Sequence, residues 1–172
     1  MSEAAGPVLE RFLRREAADT SVPVAAELGF GVDVALPADA GSVRFVGYID
    51  WVDRSADGTT VITDYKTGRP RAQGDVDADR QLTAYAYAAG RGALRDPATG
   101  DVVPPASRLC LYFADGTEVF TTRTASDLMT FEDDLVAMAT RARQREFDPL
   151  PAPGRCRWCE YHTTCGDAIQ TA

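Results

Sequence analysis

Residues 45–67 read FVGYIDWVDRSADGTTVITDYKT, and this stretch decides how the chain is built. Val43 to Asp53 and Thr59 to Lys66 carry β-branched and aromatic residues at strand density. Between them, Ser55-Ala56-Asp57-Gly58 has the chemistry of a turn, with Gly58 free to adopt positive φ. The segment therefore predicts a β-hairpin. Side chains alternate faces along a strand, so Asp64 and Lys66 share one face and Thr63 and Tyr65 the other. A carboxylate and an ammonium side by side at a strand end must stay hydrated or paired. Asp50, near the end of the first strand, is placed to approach Asp64 across the hairpin. Two carboxylates and a lysine are what metal-assisted phosphodiester hydrolysis requires. The acids hold a hard cation such as Mg²⁺ through oxygen, and the lysine orients or activates water and balances transition-state charge.

Outward from the hairpin, the chain predicts mixed α/β architecture. Residues 6–16 predict a helix, with Val8, Leu9, Phe12 and Leu13 at helical spacing. Residues 22–35 alternate as a first strand, with Leu28, Phe30, Val32 and Val34 on one parity. A polar loop runs to Asp79, and residues 78–91 (ADRQLTAYAYAAGR) predict an alanine-rich helix with Leu82, Ala86 and Ala89 as its buried stripe. Gln81 and Tyr85 lie four apart on one face of it. After a Gly/Pro-rich loop over 92–106, residues 107–113 and 117–123 predict a strand pair and 125–145 a long helix. Cys110, in mid-strand, reads as a small core residue.

The 172 residues carry a net charge of −8 and are 45% hydrophobic, the composition of an ordinary globular protein. An acidic chain is not a non-specific coat for nucleic acid, so contact with DNA must be local or supplied by a partner. No apolar run reaches membrane-spanning length and no signal pattern opens the chain, which leads us to expect a cytoplasmic protein without a membrane partner. Residues 147–155 form a proline-rich connector. Cys156, Cys159 and Cys165 follow in a CxxCxxxxxC pattern, a clustering that favours metal over disulfides. Zinc with His162 as a fourth ligand, an iron–sulfur cluster, and no metal remain open from the residues alone. We expect one domain over residues 1–148, with a connector and Cys-rich tail over 149–172 packed on it.

Asp50, thirteen intervening residues, then Asp64-Tyr65-Lys66-Thr67-Gly68 resembles the signature of the PD-(D/E)XK nuclease superfamily. Gly47-Tyr48-Ile49-Asp50 before DYKTG, with Gln81-Leu82-x-x-Tyr85 after it, resembles the RecB-type branch, which includes the nuclease domains of RecB, AddB and AdnB and the CRISPR adaptation nucleases. The resemblance covers roughly residues 24–92 and implies a restriction-endonuclease-like core, αβββαβ, a mixed sheet flanked by helices. It further implies that Asp50, Asp64 and the backbone carbonyl of Tyr65 bind Mg²⁺ or Mn²⁺, that Lys66 positions water, and that Gln81 and Tyr85 shape the substrate side. The expected activity is a metal-dependent deoxyribonuclease, an exonuclease on single-stranded DNA ends in recombination and repair, with a possible helicase partner. Cys156, Cys159 and Cys165 resemble the C-terminal half of the family's 4Fe–4S site, whose fourth cysteine precedes the nuclease core; no cysteine precedes Cys110 here. Related nucleases carry a histidine on the first helix, where this chain offers Glu10, and often a glutamate on the first strand, where it has Glu27. Arg69, Arg71 and Arg80 are candidate phosphate contacts. Two other functions stay open: a catalytically inactive nuclease-like module binding DNA or a helicase, and a small zinc-binding interaction protein.

Overall fold

The computed structural model describes residues 5–38 and 40–169. The chain divides into two compact units, one ending at Val136 and one beginning at Ala137. In the first unit, helix α1 (Ala5–Ala18) precedes strands β1 (Val22–Ala35), β2 (Ser42–Arg54) and β3 (Thr60–Lys66). Short helix α2 (Gln73–Asp77), helix α3 (Arg80–Gly90), strands β4 (Arg108–Phe113) and β5 (Glu118–Thr121) and the start of α4 (Ala125–Arg143) complete it. The five strands form one sheet in sequence order, antiparallel except between β3 and β4. A parallel pair needs a long crossover, and residues 67–107, carrying α2 and α3, supply it. Among the described residues no helix is long and apolar enough to cross a membrane.

The β2–β3 hairpin closes as its composition predicts. Gly58 N–H donates to Ser55 O (2.9 Å) and Ser55 N–H to Thr59 O (2.9 Å), with Gly58 at φ 83°. The core lies on the α3 side of the sheet, where Val52, Ile62, Leu109, Leu111 and Phe113 join Leu82, Tyr85, Ala86 and Ala89 in one buried cluster. Each fully buried side chain of this size contributes about 1.5–3 kcal/mol. Alanines let α3 lie close to the strands, and its Tyr87 meets Phe131 of α4 at 5.5 Å between ring centroids. On the opposite face, α1 rests Phe12 against Tyr65 (5.8 Å) and Tyr112 (6.4 Å).

One departure from simple alternation shapes the site. Ile49 and Val52 are both fully buried although they are three residues apart. The strand therefore switches faces between them, at Asp50-Trp51. Opposite, Ala26 pairs with Trp51 and Leu28 with Ile49, which leaves Glu27 facing Asp50. Glu27 has φ 49°, a left-handed conformation that a non-glycine residue rarely adopts inside a strand. Such local breaks re-aim side chains.

Candidate active site

The β2–β3 ladder runs from Arg54↔Thr60 to Trp51↔Thr63 and stops there. The next positions in that register are Asp50 and Asp64, so the two acids stand at the fork where the strands part. β3 continues beyond the fork by pairing with β4, Asp64 beside Leu111 and Lys66 beside Phe113. Asp50 Oδ2 accepts the backbone N–H of Tyr65 at 2.9 Å, so the first acid is anchored to the strand that carries the second.

Three side chains, Lys66, Gln81 and Tyr85, close a ring with Asp64. Lys66 Nζ lies 2.6 Å from Asp64 Oδ2. The same ammonium donates to Gln81 Oε1 at 2.7 Å, Gln81 Nε2 donates to Tyr85 OH at 2.7 Å, and Tyr85 OH donates to Asp64 Oδ1 at 3.3 Å. The helical spacing of Gln81 and Tyr85 and the strand spacing of Asp64 and Lys66 meet here, because α3 packs on that face of β3. Asp79 sets the start of α3: it caps the helix by accepting from Leu82 N–H at 2.9 Å and is clamped by Arg71.

Burial governs the titration of this group. Asp64 is only 1% exposed. Desolvation pushes its carboxyl above the usual aspartate range, against the contact and charge of Lys66, with the charge of Asp50 pushing the same way as burial. Desolvation, then the Asp64 charge, also raises the Tyr85 phenol, which stays protonated and able to donate at physiological pH.

Asp64 Oδ2 tests whether a cation belongs here. It is fully buried, and its partner is the Lys66 ammonium at 2.6 Å. Burying an anionic oxygen costs free energy, which the Lys66 ammonium offsets here and a bound cation would offset further. With Asp50 beside it, the donor set is oxygen-only, the kind that Mg²⁺ or Mn²⁺ takes. The described residues hold no group of three or more His, Cys, Asp or Glu side chains placed around one ion, so further ligands would be backbone or water oxygens.

The structure does not bring every candidate to the site. Glu10 pairs with Arg14 at 2.6 Å on the exposed side of α1, because helical spacing puts the two one turn apart. Arg71 is held by Asp79 and Arg80 by Asp134, while Arg69 stays exposed beside the site. Cys110 is fully buried in β4, its thiol raised to about 12 chiefly by desolvation. In the second unit Cys156 is buried and accepts from Ile169 N–H at 3.4 Å, whereas Cys159 is exposed. His162 Nδ1 turns to Cys159 O at 3.0 Å. These thiols do not converge into a ligand set, so the tail as placed does not fit an iron–sulfur cluster or zinc. Glu27 acquires its importance from a backbone conformation that glutamate does not announce. Asp53, 4% exposed, accepts from Trp51 Nε1 at 2.8 Å behind the fork, and nothing in the local pattern marks it as buried.

Paired acids and a lysine at a strand fork, on a mixed five-stranded sheet flanked by helices, define a restriction-endonuclease-like core. The chain belongs to the PD-(D/E)XK nuclease superfamily, whose family model matches residues 1–166. Among solved structures it is similar to "Crystal structure of SSO0001", with a TM-score of 0.57 and 14% identity over 95% of this chain and 68% of the other; that likeness concerns the fold. No curated protein matches the chain.

Proposed function

We propose that the protein is a metal-dependent DNA nuclease of RecB type, acting on single-stranded DNA ends in recombination or repair. The observation that carries this reading is the ring joining Asp64, Lys66, Gln81 and Tyr85 at a buried carboxylate, with Asp50 anchored beside it on the Tyr65 N–H. Asp50, Asp64 and the Tyr65 carbonyl would hold Mg²⁺ or Mn²⁺, which supplies charge neutralisation at the phosphate and a more acidic water. Tyr85 and the Tyr65 N–H fix the two carboxylates, so little reorganisation accompanies binding. Lys66, oriented by Gln81 and 30% exposed in its side chain, turns its remaining N–H toward the phosphate as charge develops there. Water oxygen bonds to phosphorus, the P–O3′ bond breaks, and the products are a 5′-phosphate and a 3′-hydroxyl that takes up the proton. With a net charge of −8, the chain gains little general attraction for DNA, which favours delivery of the strand by a partner such as a helicase.

The test is cleavage of single- and double-stranded DNA with Mn²⁺, using Lys66→Ala as control. Wild type cleaves, and Lys66→Ala loses activity by 10²-fold or more, on the order of losing one pre-organised electrostatic donor. Wild-type levels of cleavage by a purified, folded Lys66→Ala protein would refute the assignment.

A further inference from the structure

Beside the acids, on the α1 side of the sheet, lies a groove of about 780 Å³. Phe12, Trp51, Tyr65 and Tyr112 line it, and Asp50 and Lys66 stand in its wall. That volume suits one nucleoside-sized guest or slightly more. These four rings share the lining with aliphatic side chains and with Glu27, and flat rings favour flat guests, since every nucleobase offers a π-face. A second cleft continues from it, sharing Val8, Thr67 and Ala114, and is lined by Arg11 and Arg69, with Asp115 on the same wall. Both arginine side chains are exposed. In an acidic chain, this places Lys66, Arg11 and Arg69 along one path next to an aromatic surface. Single-strand binders combine these same two elements, a stacking surface and a basic track for the phosphates.

We propose that the groove is a base-stacking subsite for an unpaired DNA strand. The nucleotide next to the phosphodiester at Asp50, Asp64 and Lys66 lays its base against Trp51 and Phe12, and neighbouring phosphates face Arg11 and Arg69. The proposal rests on the nuclease reading above and adds the source of strand selectivity. A paired base would first have to leave its stack, at a cost that an unpaired strand does not incur.

The full chain is titrated, without divalent metal so that no cleavage occurs, with a thymidine hexamer, a base-free strand of the same length and a duplex. Wild type is expected to bind the hexamer about tenfold more tightly than the base-free strand, within the range for loss of one base–aromatic stack. Trp51→Ala and, as a second variant, Phe12→Ala erase that preference, whereas Trp51→Phe retains most of it. Thermal melting shows whether each variant is folded. Equal wild-type affinity for the hexamer and the base-free strand overturns the subsite. So does a groove occupied by a second copy, seen as concentration-dependent dimerisation abolished by Phe12→Ala. Mn²⁺ cleavage is measured in parallel. Base-dependent binding without cleavage sinks the nuclease reading and leaves the subsite, and cleavage with base-independent binding does the reverse.

Discussion

Tyr85 does two things with one hydroxyl: it donates to Asp64 Oδ1 and accepts from Gln81 Nε2. Tyr85→Phe keeps the ring in the core but removes both contacts, leaving Asp64 Oδ1 without its donor. On the nuclease reading, kcat falls about tenfold or more through loss of preorganisation, and folding stability drops by about 1–3 kcal/mol from the stranded carboxylate and amide. Steady-state cleavage and urea unfolding measure the two, and unchanged kcat would mean the ring is scaffolding alone. Spacings of two on a strand and four on a helix put each pair of the ring on one face, but that the two pairs would meet was implied only by the resemblance to the nuclease family. The placement of Asp50 was only half legible. Its distance from Asp64 follows from hairpin register, but the face switch between Ile49 and Val52 lies opposite the left-handed backbone of Glu27. A positive φ at glutamate has no residue signature, unlike the one at Gly58.

Helix α3 presents half of the ring, and its first turn is held by Asp79. Burial works to raise this carboxyl, but the Leu82 N–H, the Arg71 contact and the charges of Arg71 and Lys66 outweigh it and hold it below the ordinary 3.8. A carboxyl depressed in the folded state stabilises that state above its unfolded pKa, and the gain fades as pH falls through the folded value. Asp79→Ala therefore costs about 1 kcal/mol or more near neutrality, as loss of an N-cap does. The difference from wild type holds down to about pH 4 and shrinks below it. Urea midpoints of both proteins from pH 7 to pH 2.5 test this, and a gap that stays constant in acid contradicts it. Arg123 braces the same corner, reaching Thr83 Oγ1 (2.7 Å), Val76 O (3.1 Å) and Asp79 O (3.0 Å). At this scale the hairpin, α1, α3, the β4–β5 pair and α4 were readable from periodicity to within a few residues. Helix α2 was not: Gln73 to Asp77 offers a single apolar anchor, the buried Val76, and its ends are fixed by partners such as Thr121 and Phe120 O, far along the chain. A metal at the tail cysteines was one of the readings left open, carried by the clustering and by the family resemblance; CxxC spacing brings two thiols near one another but leaves the remaining ligands to the fold.

The whole first unit bears a free-energy cost at the fork, where Asp64 is desolvated near the charge of Asp50 and Lys66 offsets only part of that cost. Carboxylates kept so close are tolerated when a cation is shared between them. A ligand that binds the folded chain and not the unfolded one stabilises it by about 2.7 kcal/mol at a hundred times its Kd. For a chain of this size, each kcal/mol moves Tm by about 2–4 °C. Saturating Mn²⁺ is therefore expected to raise Tm by about 5–10 °C. The increment should vanish in Asp64→Ala, because the unfolded chain and the surface acids are nearly the same in both proteins. Calorimetry with and without Mn²⁺ on both proteins separates binding at the fork from diffuse association with an acidic surface. A shift of equal size in Asp64→Ala would locate the ion elsewhere on the chain and remove the physical basis for metal at the strand fork.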